Sequence, residues 1–78
     1  SHLSLEAVAF VTALTKRKQR SILDLADQIA EQPFLIGDYQ TTDSAGRTIE
    51  NLLLKGYLFS FWADHASREV RISEIIHV

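Results

Sequence analysis

The most unusual feature of this sequence is a short basic run, Lys16-Arg17-Lys18-Gln19-Arg20. It holds half of the eight Lys and Arg residues of the chain. Thr15 stands before the run as a helix N-cap would, so the cations fall at the positive end of that helix, where its dipole disfavours them. This placement indicates that the run faces an anion such as a phosphate. The alternative is a solvated helix start in which Arg20 pairs with Asp24 in the next turn.

Three further polar positions lie in the second half of the chain. Arg71 falls at a strand position that faces away from the helices, where it could hold an anion, and the plainer interpretation is a cross-strand ion pair with Glu50. His77 can exchange a proton near neutral pH. Lys55 is a candidate phosphate contact beside Tyr57, an aromatic residue that also fits the core.

The residue types needed for metal or cofactor chemistry are scarce. The chain has no cysteine and only three histidines, which are scattered, so we expect no metal site. Its three glycines fall at turns or strand starts, and no P-loop, dinucleotide fingerprint or nucleophile elbow is present. We therefore expect no cofactor.

Length and composition narrow the class of protein. The chain has 78 residues, of which 46% are hydrophobic and 23% charged, as expected for one small globular domain spanning 1–78. The net charge of −2 argues against bulk electrostatic capture of nucleic acid. No apolar run approaches the roughly 20 residues of a membrane span, and no leader-like segment opens the chain, so we expect a cytoplasmic protein without membrane contact.

The first third of the chain predicts a helical hairpin over 3–32. Leu3, Ala7, Phe10 and Leu14 form one apolar helical stripe, with Ser4 in the N-cap position. After Thr15, a second stripe recurs with helical spacing and consists of Ile22, Leu25, Ala26 and Ile29. Pro33 ends this second helix at about Glu31 or Gln32.

After Pro33 the hydrophobic period changes to two, which predicts an antiparallel meander over 36–77. The expected strands are Tyr39–Thr42, Arg47–Leu54, Tyr57–Ala63 and Arg68–Ile76. The connections are too short for parallel crossovers. The predicted fold class is therefore α+β, with an N-terminal helical hairpin packed on one face of a four-stranded antiparallel sheet.

Alternation within the strands predicts which face stays free. In the third strand we expect Tyr57, Phe59, Phe61 and Ala63 to point inward. Leu58 and Trp62 would then lie on the uncovered face, as an apolar patch that suits a protein partner. In the last strand the same alternation points Val70, Ile72 and Ile76 inward and leaves Glu69, Arg71, Ser73, Ile75 and His77 outward.

Several segments together resemble the RelE/ParE toxin superfamily, of the plasmid-stabilisation type. Ala13–Leu25 is similar to the family's helix end near a Leu followed by a basic run and an apolar stripe. Ala30–Phe34 matches the helix end near a Pro. The strands that follow in the family have counterparts in Gly37-Asp38-Tyr39, Lys55-Gly56-Tyr57 and Glu69-Val70-Arg71-Ile72.

The resemblance implies the toxin half of a type II toxin–antitoxin system in bacteria. RelE-like members are mRNA interferases that cut messenger RNA on the ribosome without a metal, whereas ParE-like members poison DNA gyrase. A small antitoxin protein neutralises both kinds. The expected partners are therefore an antitoxin and either mRNA on the ribosome or gyrase.

Carried over by position, the resemblance also implies roles for particular residues. The residues expected to hold RNA backbone are Lys16, Arg17, Lys18 and Arg20. Arg71 matches a basic residue that stabilises the phosphate in cleaving members, and His77 lies near their C-terminal Tyr or His, a general acid or base. Cleavage would then proceed by attack of the ribose 2′-OH on its own phosphate.

Three departures separate the chain from the cleaving members. Gly56-Tyr57-Leu58 stands where many relatives have Asp-Tyr-Arg with a functional Arg. The family's opening strand has no counterpart, which predicts a sheet edge open to a partner or to a second copy in a homodimer. The chain is also acidic. The alternatives are a non-toxic homologue acting as a protein-binding or dimerisation module, and an unrelated α+β domain that binds a protein through Leu58 and Trp62.

Overall fold

The computed structural model describes residues 2–78, so position 1 of the predicted domain lies outside the described residues. Two helices pack on one face of an antiparallel meander, which confirms the predicted α+β class. The elements in chain order are β1 His2–Leu3, α1 Leu5–Thr12, α2 Lys16–Ala30, β2 Tyr39–Thr42, β3 Thr48–Leu54, β4 Tyr57–Asp64 and β5 Glu69–His77.

The helices begin and end where local capping chemistry places them. Ser4 caps α1, and its hydroxyl accepts a hydrogen bond from the Ala7 amide at 3.1 Å. Thr15 caps α2 by accepting from the Lys18 amide at 3.4 Å. The helix ends at Ala30, close to the predicted end before Pro33.

The expectation that Leu3 lies in the first helix was wrong. Because Ser4 is the N-cap and has an extended backbone, the residue before it lies outside the helix. Leu3 belongs instead to β1, which pairs parallel with β5 opposite Ile72. The sheet order is β1-β5-β4-β3-β2, so a two-residue strand occupies the edge that was expected to be open.

The turn between β3 and β4 is as tight as predicted. Leu54 pairs with Tyr57, which leaves only Lys55 and Gly56 in the loop. Both residues have positive φ angles, 51° and 83°, as a type I′ hairpin turn requires. This turn fixes the register of the two central strands.

A bulge changes the alternation of β5. Ser60 pairs with Glu74 whereas Phe61 pairs with Ile72, so Ser73 is an extra residue in β5. Beyond Ser73, the side chains therefore exchange faces relative to simple alternation.

The exchange corrects three sequence-based assignments at the end of β5. Ile75, expected to face outward, is 2% exposed and lies in the core, whereas Ile76, expected to face inward, is 41% exposed. His77, also expected outward, lies on the helix-covered face opposite Tyr57.

The core lies between the helices and the sheet. Its largest fully buried side chains come from α2, β4 and β5, and are Phe59, Ile22, Ile29, Ile72 and Ile75. Phe61 is buried beside them, as predicted, while Ala63 is only half-buried. Packing of this kind supplies most of the stabilisation of a domain this small.

Gly37 lies where the backbone of the segment before β2 approaches β3. Its amide donates to Oε1 of Glu50 at 2.8 Å, and the next amide, of Asp38, donates to the Asn51 carbonyl at 2.7 Å. A Cβ at position 37 would lie 2.5 Å from the carbonyl oxygen of Asn51. Only glycine fits at this distance, because the atom in contact belongs to the backbone of a paired strand.

We therefore expect Gly37→Ala to lower the free energy of unfolding by about 1–3 kcal/mol, since the strand must move to admit the methyl group. Urea titration followed by circular dichroism measures this change. Gly56→Ala is the matched control, because nothing lies within 4 Å of its added Cβ and only the positive φ of 83° opposes the substitution, at a cost of about 1 kcal/mol. A smaller effect at position 37 than at position 56 would contradict the close approach.

Candidate functional site

The face of the sheet opposite the helices carries a group of apolar side chains. Leu58 in β4 pairs with Leu53 on one side and with Ile76 on the other, which forms an apolar cluster across three strands. Leu53 is 50% exposed and Leu58 half-buried. We define the open face by its apolar members, Tyr39, Ile49, Leu53, Leu58, Trp62 and Ile76. Tyr39, Leu53 and Ile76 are exposed whereas Ile49 is buried. Exposed apolar residues that share one face are typical of a binding surface.

Hydrogen-bonded polar side chains cross the middle of the open face. Nδ2 of Asn51 donates to Oγ1 of Thr41 at 3.1 Å, and Oδ1 of Asn51 accepts from the Ser60 hydroxyl at 2.8 Å. The Ser60 carbonyl accepts from the Ser73 hydroxyl at 3.2 Å, and the Ser73 carbonyl accepts from the Ser4 hydroxyl. Asn51 and Ser60 are both buried, and these bonds satisfy them. The sequence reasoning missed this network, because its members are ordinary strand residues.

The side chain of Arg47 covers the ring of Trp62. The guanidinium of Arg47 lies over the Trp62 ring, 4.2 Å from the ring centroid, as a cation–π contact. Nε of Arg47 also bonds to Oδ2 of Asp43 at 2.7 Å. That bond is the largest of the effects that hold the pKa of Asp43 below its ordinary value. The predicted apolar patch at Trp62 is therefore partly a charged surface.

Arg71 lies on the same face as Trp62 and pairs with it across β4 and β5. Its Nε bonds to Oδ2 of Asp64 at 3.1 Å, and its Nη2 lies 3.5 Å from Oε2 of Glu69. The expected ion pair with Glu50 is not formed, because Glu50 lies on the opposite face of the sheet, in a strand that β4 separates from β5. Glu50 instead accepts from the Gly37 amide and from the Gln40 side chain. Two carboxylates thus neutralise the charge that was predicted to hold a phosphate.

His77 lies on the other face, in an aromatic group at one end of the sheet. Its ring meets Tyr57 edge to face at 5.2 Å between centroids, and Tyr57 meets Phe10 at 6.1 Å. His77 itself is exposed. Since Phe10 belongs to α1 near its C-terminal end, the turn that leads into α2 lies at this same end of the molecule.

The basic run therefore lies at the end of the molecule that carries His77 and Lys55. We call this region the basic end and define it by Lys16, Arg17, Lys18, Arg20, Lys55 and His77. Its six residues are all exposed. Lys16, Arg17 and Arg20 line a shallow depression of about 330 Å³ together with Asp24.

The four cations of the basic run have no ion-pair partner among residues 2–78. The ion pairs of that part of the chain join Arg47 to Asp43 and Arg71 to two acids. The expected bridge between Arg20 and Asp24 is not formed, although both line the same depression. The positive charge at the start of α2 is therefore exposed to solvent.

The structure does not bring the two predicted catalytic residues together. Arg71 and His77 lie on opposite faces of β5, on either side of the Ser73 bulge. They are also six positions apart along an extended strand, which separates them by roughly 20 Å. One phosphate cannot contact both side chains in this arrangement.

A groove that the sequence reasoning missed lies between the segment that follows α2 and the far end of the sheet. It measures about 430 Å³, and the segment 33–36 forms one wall while Phe61, Trp62 and Val70 contribute to the other. Phe34 is 84% exposed and Ile36 72%. The four apolar or proline residues at 33–36 were the only sequence signal for it.

Comparison of the chain with models of known protein families, with curated proteins and with solved structures found no match. Within residues 2–78, neither helix is long and apolar enough to cross a membrane. The same part of the chain has no group of three or more His, Asp or Glu side chains placed to hold a metal ion.

The Arg71–Asp64 pair predicts a pH dependence of stability. Hydrogen bonds from Arg71, and then from Ser67, hold the pKa of Asp64 below its ordinary value of 3.8. A carboxyl whose pKa is lowered in the folded state contributes stability above its unfolded pKa. That stability is lost as the pH falls through the lower folded value. We therefore expect the free energy of unfolding to fall below about pH 4 and to fall less steeply in Asp64→Asn.

Urea unfolding at a series of pH values between neutrality and acid measures this difference. Asp24→Asn is the matched control, because Asp24 forms no ion pair within residues 2–78. The free energy of unfolding of this variant should fall at acid pH as steeply as that of the parent protein. An equally steep fall of the free energy of unfolding in Asp64→Asn and in the parent protein would contradict the role of the Arg71–Asp64 pair.

Proposed function

We propose that this chain is the toxin component of a type II toxin–antitoxin system, that it inhibits bacterial growth, and that a small antitoxin protein neutralises it. The proposal rests on the resemblance of the sequence to the RelE/ParE superfamily. It is supported by the observed arrangement of a helical hairpin on one face of an antiparallel meander. The observation that carries it is the basic end, where exposed cations at the start of α2 line one depression.

The basic end has the chemistry needed to bind a phosphodiester backbone. Four cations placed against the positive end of a helix dipole repel that dipole, at a cost of roughly a few tenths of a kcal/mol each. A bound phosphate reverses the sign of this interaction, because the cations and the free amides of the first turn then act on the same anion. The placement of the run is thus unfavourable in the free protein and favourable in a complex.

If the target is mRNA, His77 is the titratable group best placed for proton transfer. In that reaction the ribose 2′-oxygen attacks the adjacent phosphorus, the bond to the 5′-oxygen breaks, and one group removes a proton while another donates one. The cations of the basic run would stabilise the charge on the phosphoryl oxygens. Arg71 would act on a different phosphate, since it lies on the opposite face and is paired with Asp64.

If the target is gyrase, no cleavage chemistry is required. The basic end, the open face or both would then bind the enzyme as a protein surface, and the separation of Arg71 from His77 has no consequence. Both targets belong to the cytoplasm, so a cytoplasmic location is part of the same proposal.

A second candidate function is a non-toxic homologue that acts as a protein-binding module. The open face favours it, because exposed apolar residues such as Leu53 and Ile76 surround a buried and satisfied Asn51–Ser60 pair. The net charge of −2 also suits a protein partner better than a nucleic acid. Leu58 and Trp62 remain the predicted partner-binding residues in this candidate.

Inducible expression in a bacterium tests the proposal, with growth, mRNA integrity and DNA supercoiling followed together. We expect growth arrest. Replacing the four cations of the basic run by Gln should abolish it while leaving the protein equally stable or slightly more stable, by roughly a few tenths of a kcal/mol per charge. A variant that exchanges Lys for Arg and Arg for Lys at the same four positions keeps the charge and is the matched control.

The accompanying readouts identify the target. Truncated mRNA that becomes intact in His77→Gln indicates cleavage, whereas damaged DNA with intact mRNA indicates gyrase. Normal growth with a folded protein would contradict the toxin proposal and favour the binding module. Arrest that persists without the four cations would contradict the role of the basic end.

A further inference from the structure

Strand β2 is an unprotected edge of the sheet. It is the last strand in the order β1-β5-β4-β3-β2, and its four residues Tyr39–Thr42 are all exposed. Natural proteins usually guard such an edge with a lysine, a proline, a bulge or a covering segment. The sequence Tyr-Gln-Thr-Thr contains no proline and no charged residue. Its pairing with β3 is regular along all four residues.

The backbone groups that face outward from β2 can be identified from the ladder. The Asp43 amide donates to the Arg47 carbonyl at 3.0 Å, which marks a hydrogen-bonded position just beyond β2. Antiparallel ladders alternate, so Thr41 and Tyr39 also direct their backbone groups toward β3. The N–H and C=O groups of Gln40 and Thr42 therefore point away from the sheet.

Three exposed apolar side chains lie in β2 or in the segment that precedes it in the chain. Phe34 is 84% exposed, Ile36 72% and Tyr39 48%, and they occupy the segment that leads into β2 and its first residue. The opposite edge is different, since β1 pairs with part of β5 and the Ser4 amide continues that pairing by donating to Ile72. At β2 the unpaired backbone thus coincides with the exposed Tyr39 side chain, whereas Phe34 and Ile36 line the groove described above.

We propose that β2 pairs antiparallel with β2 of a second copy of this chain, about a two-fold axis at Thr41. In this register Gln40 of each copy lies opposite Thr42 of the other, so every outward-facing backbone group of the strand is bonded. The two Thr41 residues face each other at a non-hydrogen-bonded position, which is a favourable cross-strand pair. The two sheets become one continuous sheet, and their open faces lie side by side.

The absence of charge repulsion in this register, together with the pairing of every outward-facing backbone group, supports a second copy as the occupant. No like charges oppose each other in the Thr41-centred register, because the strand itself is uncharged. The nearest carboxylates, Asp38 and Asp43, lie at register positions opposite the hydroxyl residues Ser44 and Tyr39 of the other copy. Asp43 is in addition paired with Arg47 of its own chain. This self-pairing does not depend on the function proposed above.

Cysteine cross-linking tests the register directly, because the chain contains no cysteine of its own. At a non-hydrogen-bonded pair the Cα atoms are about 4.5 Å apart, within the range of a disulfide. We expect Thr41→Cys to form a covalent dimer under mild oxidation. Gln40→Cys is the matched control and should cross-link far more slowly, because its counterpart is two residues out of register. Equal rates, or faster cross-linking at position 40, would overturn the proposed axis.

Sedimentation equilibrium over about 10 μM to 1 mM tests the pairing without a cross-link. A short strand pair buries little surface, so we expect a weak dimer whose population grows with concentration. Thr42→Pro removes an outward N–H while sparing the β3 ladder, and should abolish dimerisation with circular dichroism unchanged. Thr42→Val keeps the N–H and should dimerise. A monomer at every concentration, or a dimer that survives Thr42→Pro in a folded protein, would overturn the proposal.

Discussion

The extra residue at Ser73 in β5 decides which side chains face the helices and which face solvent. Before it, Val70 and Ile72 point into the core, and after it Ile75 does so in place of Ile76. The bulge is held from both sides, because the Ser73 hydroxyl donates to the Ser60 carbonyl and the Ser73 carbonyl accepts from Ser4. The N-cap of α1 is thereby tied to the strand on which α1 packs.

The same bulge divides the polar surface into two regions. Arg71 lies before Ser73 on the open face, where acids neutralise it, and His77 lies after Ser73 on the helix-covered face, against Tyr57. The α1–α2 turn brings the basic run to the His77 end. The exposed positive charge and the apolar open face therefore lie in different parts of this small domain.

The sequence predicted best those features that depend on residues close together in the chain. The caps at Ser4 and Thr15, the end of α2 before Pro33 and the Lys55-Gly56 turn follow from local chemistry, and all are observed. The faces of β4 followed from simple alternation from Tyr57 to Ala63.

Features that depend on contacts between distant residues could not be predicted in this way. Nothing in Arg71-Ile72-Ser73-Glu74 marks an extra residue, because the bulge exists only relative to the register with β4. The partners of Arg71 depend on the turn that brings Asp64 back beside β5, and the need for Gly37 depends on its approach to Asn51. The basic run was found from its composition, but its proximity to His77 required the packing of Phe10 on Tyr57.

Nuclear Overhauser contacts at the end of β5 test the bulge most directly. We expect contacts from the Ile75 methyl groups to the Phe59 ring and from the His77 ring to Tyr57. The Ile76 methyl groups should contact Leu58 instead. Contacts from Ile76 to Phe59, with His77 on the side of Arg71, would contradict it. His77 and Arg71 would then lie on the same face of β5, and the basic end would not be separated from Arg71.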